Sequence, residues 1–256
     1  MIRYRRIHKA FEEPVLSGVD LTVNEGEMFG LFGPSGTGKS VLLKTTIGLI
    51  IPDQGDVFLK GESVFFGEVD AIERVRRQVG YVFQHSALFD SLNVFDNVCM
   101  GIPERELAGM SRRESGRRAW EALEIVNLEP RLILSKLPAE LSGGMKKRVG
   151  IARAIVGRPE MLLWDEPTTG LDPVNTAAVE RLIARLSKEL EVTSIIVTHD
   201  IEGGLLICDR VAMLTAGKLR FCGSPEEFRT STDPVVRSFV NRAGAEAALD
   251  NQLKVV

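Results

Sequence analysis

Residues 33–40 read GPSGTGKS, and they lie between the apolar run MFGLF (28–32) and the helix-like stretch VLLKTTIGLI (41–50). The glycines let the backbone turn tightly, so that several N–H groups can face one anion. Lys39 can reach phosphate oxygens, and the hydroxyl of Ser40 can bind Mg²⁺. A buried strand, a glycine-rich loop and a helix in this order predict a nucleotide-binding α/β fold. The candidate binding residues are Gly33, Pro34, Ser35, Gly36, Thr37, Gly38, Lys39, Ser40 and Val41.

A second motif, MLLWDE (161–166), places two carboxylates at the end of another apolar run. Asp165 can hold Mg²⁺, and the neighbouring Glu166 can polarise an attacking water as a general base. Acidic residues that end a strand are also common as solubilising groups, so the motif alone is weak evidence. In a chain that also carries a phosphate-binding loop, it indicates hydrolysis of the bound nucleotide.

Buried strand-like runs such as VGYVF (79–83) alternate with helical stretches, which indicates an α/β core with a parallel sheet. The sequence between about 85 and 157 is instead charged and helical, and sheet-type runs resume after it. We therefore interpret it as an insertion into the core. The predicted division is a split core at 1–84 and 158–240, a helical subdomain at 85–157 and a C-terminal tail at 241–256.

Local signals predict several further elements. TSIIVTHD (193–200) is expected to form a strand that ends in His199, and Ala216-Gly217 is expected to turn a hairpin. SPEEF (224–228) is typical of a capped helix. Pro173 begins another helix, whose predicted apolar stripe is Val179, Leu182, Ile183, Leu186 and Leu190.

Composition excludes some classes of partner. The 256 residues carry a net charge of −3, so no overall basic field favours nucleic acid. The basic group Lys146, Lys147 and Arg148 is expected to lie on a solvated helix face or to contact a partner. Three cysteines without metal-ligand spacing indicate reduced thiols. The N-terminus does not have the apolar core of a signal peptide, and no run reaches 18 apolar residues, so any membrane span is expected in another chain.

The order of four further motifs carries a family resemblance. LSGGM (141–145), WDEP (164–167), TTGLD (168–172) and THD (198–200) follow the phosphate-binding loop. Together they resemble the ATP-binding-cassette (ABC) ATPase family over about residues 2–230. The resemblance implies a P-loop NTPase fold with an antiparallel β subdomain and an inserted helical subdomain, and ATP and Mg²⁺ as cofactors. In that family the loop matching Ser142, Gly143 and Gly144 contacts ATP bound to a second subunit, so the implied partner is a second copy of this chain.

The resemblance also implies roles for single residues. Phe11 matches the aromatic that stacks on adenine, although Tyr4 lies nearby in the sequence. Asp172 matches a loop that couples the two subunits, and His199 matches the residue that holds the γ-phosphate. Gln84 matches the residue that links Mg²⁺ and the attacking water to the transport subunit. The implied catalytic set is Glu166, His199 and Gln84, and the implied metal ligands are Ser40, Gln84 and Asp165.

Two positions depart from the usual family pattern, namely Met145, where glutamine is usual, and Trp164 before the acidic pair. LSGGM, the stretch ALFDSLNVFDNV (87–98) and the segment 223–242 resemble the Mla/Mce-type lipid-transport ATPases. This finer resemblance implies phospholipid transport, a multi-spanning permease, a lipid-binding Mce-type partner and a peripheral position on the cytoplasmic side of the inner membrane.

Three questions stay open on sequence alone. Iron–sulfur-assembly and cell-division ABC ATPases, which transport nothing, also fit a chain with one cassette. The apolar side chains of Leu88, Phe89 and Leu92 are expected either to form a groove for a short helix of the permease or to pack inside the insertion. The sequence does not distinguish a bacterial cytoplasm from a plastid stroma.

Overall fold

A computed structural model describes residues 1–67 and 70–241. Except for Asn241, which ends a helical stretch at 234–241, the predicted tail at 241–256 lies outside the described residues. The chain divides into two compact units, one formed by 1–72 with 195 onward and the other by 73–194. The boundaries predicted from sequence, at 84/85 and 157/158, stay a prediction.

The first unit contains an antiparallel sheet of four strands in the order β2-β1-β4-β5. Their bounds are β1 (Ile2–Ala10), β2 (Pro14–Val23), β4 (Gln54–Leu59) and β5 (Glu62–Ser63). Ile2 and Tyr4 are buried and Arg3 and Arg5 are exposed, as expected for a strand with one face on a core. The register shifts near Arg6, which has a φ of 47°.

A second group of strands in this unit supports the glycine-rich loop. β3 (Met28–Phe32) is buried throughout and pairs in parallel with β9 (Arg210–Thr215). β9 pairs with β10 (Lys218–Gly223) as an antiparallel hairpin. Ala216 and Gly217, with φ of 46° and 71°, form the predicted two-residue turn. The helices of this unit are α1 (Lys39–Thr46), α9 (Ile201–Ile207) and α10 (Pro225–Arg229), the last with the predicted Ser224 cap.

The second unit combines two buried parallel strands with helices. β6 (Val79–Val82) pairs with β7 (Met161–Asp165) from Val79 opposite Met161 to Val82 opposite Trp164. Parallel strands end at the same edge of a sheet, so residues that follow β6 and β7 come together. The helices are α2 (Ala71–Gln78), α3 (Val94–Cys99), α4 (Glu104–Gly109), α5 (Arg112–Ile125), α6 (Pro130–Ile133), α7 (Gly143–Ile155) and α8 (Pro173–Glu189), with a 3₁₀ turn at Pro138–Glu140.

Two element predictions are wrong in detail. The stripe on α8 ends one turn early, because the helix stops at Glu189 and Leu190 is 37% exposed. β8 (Thr193–Val197), which leads the chain back into the first unit, ends two residues before His199. Within residues 1–67 and 70–241, no helix combines the length and apolar character needed to span a bilayer.

Candidate functional site

The glycine-rich loop between β3 and α1 needs glycine at three positions. Gly33, Gly36 and Gly38 have φ of 141°, 77° and 98°, which side chains disfavour. A Cβ on Gly33 would overlap the carbonyl oxygen of Leu214, and one on Gly38 would lie 2.8 Å from Leu16. The fold therefore holds this loop in one tight conformation.

Lys39 closes the loop on itself. Its side chain is buried, and Nζ donates hydrogen bonds to the carbonyl oxygens of Gly33 at 2.8 Å and Pro34 at 2.9 Å. The hydroxyl of Thr37 donates to the Pro34 carbonyl at 2.9 Å, whereas the side chain of Ser35 is exposed. These contacts place a cation at the start of α1, where the helix dipole also favours an anion. Ser40 and Val41 follow in the first turn of that helix.

Burial distinguishes Phe11 from Tyr4, the two aromatic residues near the position expected to stack on adenine. Phe11 follows β1 and is 61% exposed, with the ammonium of Lys9 5.5 Å from its ring centre. Tyr4 is buried and shares a 2.5 Å hydrogen bond with Thr46, and burial raises the pKa of its hydroxyl. Tyr4 is therefore a core residue, and Phe11 presents a ring that a base could stack on.

His199 occupies an exposed position between β8 and α9. The next residue, Asp200, caps α9 by accepting a hydrogen bond from the backbone N–H of Gly203 at 2.9 Å. The cap fixes the start of the helix immediately after His199.

Asp165 lies at the end of β7 and is only 2% exposed. The hydroxyl of Tyr81, on the neighbouring strand β6, donates a 2.8 Å hydrogen bond to its carboxylate. No local sequence pattern indicates Tyr81 as a site residue, because its contact depends on the pairing of two strands about 80 positions apart. Tyr81 orients the carboxylate predicted to hold Mg²⁺.

Glu166 has an unusual backbone conformation, and its carboxylate accepts hydrogen bonds from neighbouring side chains. Its φ of 48° lies in the left-handed region, which a non-glycine residue adopts at a cost of about 1–3 kcal/mol. Its carboxylate accepts hydrogen bonds from the side-chain amide of Gln84 at 2.8 Å and from the hydroxyl of Thr169 at 3.2 Å. The structure thus brings together Gln84 and Glu166, two of the residues that the sequence predicts to be catalytic.

Lys147, on α7, contacts Gln84 and interacts electrostatically with Glu166. Its ammonium donates a hydrogen bond to the backbone carbonyl of Gln84. The prediction that Lys147 lies on a solvated helix face is wrong, since the residue is 6% exposed. Burial lowers the pKa of this amine, and the charge of Glu166 partly opposes that shift.

The loop before α7 is open to solvent at its tip. Ser142 caps the helix by accepting a hydrogen bond from the N–H of Met145 at 3.3 Å, and Ser142 and Gly143 are exposed. Gly144 is buried, and a Cβ there would lie 2.5 Å from the side chain of Asn175. The start of a 13-residue helix is thus available to an anion from outside.

Asp172 caps α8 and touches the same asparagine. Its carboxylate accepts hydrogen bonds from the N–H groups of Val174 and Asn175, both at 3.1 Å, and from the side-chain amide of Asn175 at 2.5 Å. The side-chain and backbone donors of Asn175 hold the pKa of Asp172 below its usual range. Asn175 thereby joins the Asp172 loop to Gly144 in the first turn of α7.

The predicted metal ligands supply suitable atoms for Mg²⁺. A hydroxyl on Ser40, an amide oxygen on Gln84 and a carboxylate on Asp165 are all hard oxygen donors, which this ion prefers. Asp165 is oriented by Tyr81 and Gln84 by its contacts to Glu166 and Lys147. The donor set therefore fits Mg²⁺.

Comparison with known proteins adds independent evidence. Residues 16–169 match the family described as "ABC transporter". Methionine import ATP-binding protein MetN 2 of Pseudomonas entomophila (strain L48) is 40% identical over 247 residues, which cover 94% of this chain and 72% of that protein. The MetN protein of Xanthomonas campestris pv. campestris (strain 8004) is 41% identical over 249 residues, covering 95% and 73%. In all, 3498 curated proteins match, so this kind of sequence is shared very widely.

Solved structures share the fold. The ATP-binding cassette MJ0796, in a dimeric post-hydrolysis state bound to ADP and Pi, superposes with a TM-score of 0.78 at 31% identity, covering 88% of this chain and 99% of that one. The protein cbiO1 from Clostridium perfringens, part of the ABC transporter complex cbiONQ, superposes with a TM-score of 0.79 at 29% identity, covering 98% of each chain.

Proposed function

Because this chain belongs to the ABC transporter family, we propose that it is the ATP-hydrolysing subunit of a transporter whose membrane permease is a separate chain. Family membership confirms the predicted fold, the ATPase activity and the use of ATP with Mg²⁺. The observation that carries the proposal is the hydrogen bond between Gln84 and Glu166, which joins the expected base to the residue expected to report to the permease.

Each residue has a specific role in the proposed reaction. Lys39 and the N–H groups of residues 33 and 35–41 bind the phosphates of ATP, and Phe11 stacks on the adenine. Glu166 accepts the proton of the attacking water, while Gln84 and Thr169 orient its carboxylate. His199 holds the γ-phosphate. Ser40, Gln84 and Asp165 hold Mg²⁺, which supplies positive charge to the phosphate oxygens when bound.

A second copy of the chain completes the site. The exposed start of α7 at Ser142 and Gly143 is suited to a phosphate that the same chain does not hold, and Asp172 contributes to the contact between the copies. Support comes from the MJ0796 cassette, whose solved post-hydrolysis structure is dimeric. ATP binding brings the two copies together, and hydrolysis releases them.

We propose phospholipids or related hydrophobic molecules as the cargo. The sequence resemblance of Met145 and of the segment 87–98 to the Mla/Mce-type lipid-transport ATPases supports this choice, and the side chain of Asn97 organises that segment. The amide oxygen of this buried side chain accepts a hydrogen bond from the N–H of Phe89 at 2.8 Å, and its amide nitrogen donates to three carbonyl oxygens of the segment. Phe89 is 51% exposed, as a permease contact would require. The permease then holds the subunit at the cytoplasmic face of the inner membrane.

Methionine or a similar amino acid is the second candidate cargo. The relatives named above are methionine import proteins at 40% and 41% identity, and they do not support either lipid transport or an Mce-type partner. The shared sequence is the ATP-binding domain, which binds nucleotide rather than cargo. Similarity there supports the ATPase chemistry more strongly than the identity of the transported molecule.

One experiment separates these candidates. The tagged chain is isolated from native membranes, and the bound proteins and extracted small molecules are identified by mass spectrometry. A multi-spanning permease with a lipid-carrying partner and co-purified phospholipid is expected. A permease with a methionine-binding protein would favour amino-acid import, and exclusively soluble partners would leave an ATPase that transports nothing.

A further inference from the structure

One face of α7 contacts Gln84, Ser86 and Ala87, which follow β6 in the sequence. Lys147, Gly150 and Arg153 are spaced three apart, so they lie along one side of the helix. The guanidinium of Arg153 donates to the carbonyl oxygens of Ser86 at 2.8 Å and Ala87 at 2.6 Å. A Cβ on Gly150 would approach the Ser86 carbonyl to 3.3 Å, so glycine permits this close packing.

Lys147 makes the third contact on this face, to the carbonyl of Gln84. A buried ammonium costs several kcal/mol unless other groups compensate it. A neutral carbonyl offsets only part of that cost, and the negative charge of Glu166 supplies a further attraction. A methionine of similar length would fill this volume without the desolvation cost. Stability alone therefore does not explain a lysine at this position.

Gln84 is thereby held at two points. Its backbone carbonyl accepts from Lys147, and its side-chain amide donates to Glu166. The direction of the amide depends on where the backbone of Gln84 is fixed. α7 itself begins at Ser142 and Gly143, which are expected to contact the ATP of the second copy. A displacement of that helix would therefore move Gln84 relative to Glu166.

We propose that Lys147 is a positioning residue for ATP hydrolysis: it fixes the backbone of Gln84 so that the Gln84 amide holds Glu166 in the orientation that activates water. The inference rests on the proposed function, in which Glu166 is the general base. Lys147 touches neither nucleotide nor water in this scheme and acts only through Gln84.

The test compares Lys147→Met, which removes the donor and the charge, with Lys147→Arg, which keeps both. Lys188→Met, at an exposed position near the end of α8, is the control for loss of a lysine. We expect Lys147→Met to lower kcat about tenfold with KM for ATP within about twofold of wild type, because the base is misaligned while nucleotide binding is unchanged. Lys147→Arg should recover most of kcat, and Lys188→Met should not change it.

A double variant distinguishes positioning from a merely structural role. If Lys147 acts through Gln84, Lys147→Met should cost little further activity in a Gln84→Ala background. Thermal melts accompany the assays, and Lys147→Leu, which also removes the donor and the charge, replaces Lys147→Met if that variant does not fold. Unchanged kcat, a proportional rise in KM, failure of arginine to rescue, or full additivity with Gln84→Ala would each overturn the inference. Failure of the proposed function would give results distinct from these. The wild-type protein would then hydrolyse no ATP, or Glu166→Gln would hydrolyse it at the wild-type rate.

Discussion

The side-chain amide of Gln84 donates a 2.8 Å hydrogen bond to the carboxylate of Glu166, although 82 positions separate the two residues in the sequence. Parallel pairing of β6 with β7 brings them together, since each residue follows the end of its strand. The contact joins Glu166, the candidate general base, to Gln84. Gln84 lies shortly before Phe89 in the sequence, and the ring of Phe89 is exposed to solvent. In the proposed function Phe89 contacts the permease, so a change at that contact is expected to alter the environment of Glu166 through few intervening groups.

Replacement of Lys39 by alanine should weaken ATP binding. The ammonium is lost both as a phosphate ligand and as the donor that closes the loop on Gly33 and Pro34. Charge-assisted hydrogen bonds contribute about 1.5–3 kcal/mol, so the Kd should rise at least about tenfold. Calorimetric titration measures this, with Lys44→Ala on the same helix as the control. An unchanged Kd would refute the assignment of the phosphate loop.

Gly38→Ala should destabilise the fold more than Gly26→Ala. Both glycines have positive φ, at 98° and 71°, so both substitutions strain the backbone by about 1–2 kcal/mol. Only at Gly38 would the new methyl group also overlap Leu16, whereas nothing lies within 4 Å at Gly26. Urea unfolding should show an additional loss of about 1–3 kcal/mol for Gly38→Ala. Equal losses would show that the loop has room to relax.

Phe11→Ala should reduce ATP affinity without loss of stability. The ring is 61% exposed and contributes little to the core. Stacking of a base on an aromatic ring contributes about 1–3 kcal/mol, so the Kd for ATP should rise roughly tenfold. Inorganic triphosphate has no base to stack, and its binding should not change. A similar loss for both ligands would show that Phe11 acts on the phosphates or on the fold.

Phe89→Ala should weaken recruitment to the membrane and leave hydrolysis by the isolated subunit intact. The backbone of Phe89 is fixed by the side chain of Asn97, so removal of the exposed ring should not disturb the segment. Phe66→Ala, at a ring 78% exposed, is the matched control. Co-purification with the permease measures the effect. Normal recruitment of the Phe89 variant would show that the predicted groove is not the docking surface.

Elements with strong local signals could be predicted from the sequence. The glycines of residues 33–38, the Ala216-Gly217 turn and the Ser224 cap each impose a backbone conformation through their own chemistry, and each lies where expected. Strand β1 was not predicted, because its alternation is interrupted near Arg6 and much of its exposed face is arginine. Tertiary pairing, rather than local preference, makes it a strand.

The chemical partners of the candidate residues were harder to predict. Tyr81 and Lys147 reach Asp165 and Gln84 across 84 and 63 positions, so no local pattern indicates these contacts. The basic run that includes Lys147 is typical of a solvated face, and only the packing of α7 against the residues after β6 buries this one side chain. Residue types thus indicated the site, while its orienting contacts came from the fold.

ATP turnover and association of Glu166→Gln test the account most directly. The variant keeps the shape of the side chain and loses the carboxylate that accepts the proton, with Glu25→Gln, at an exposed loop position, as the control. Hydrolysis should fall about 100-fold or more, ATP binding should persist, and gel filtration with ATP should show a dimer. Hydrolysis at the wild-type rate, or a chain that stays monomeric with ATP bound, would contradict the account.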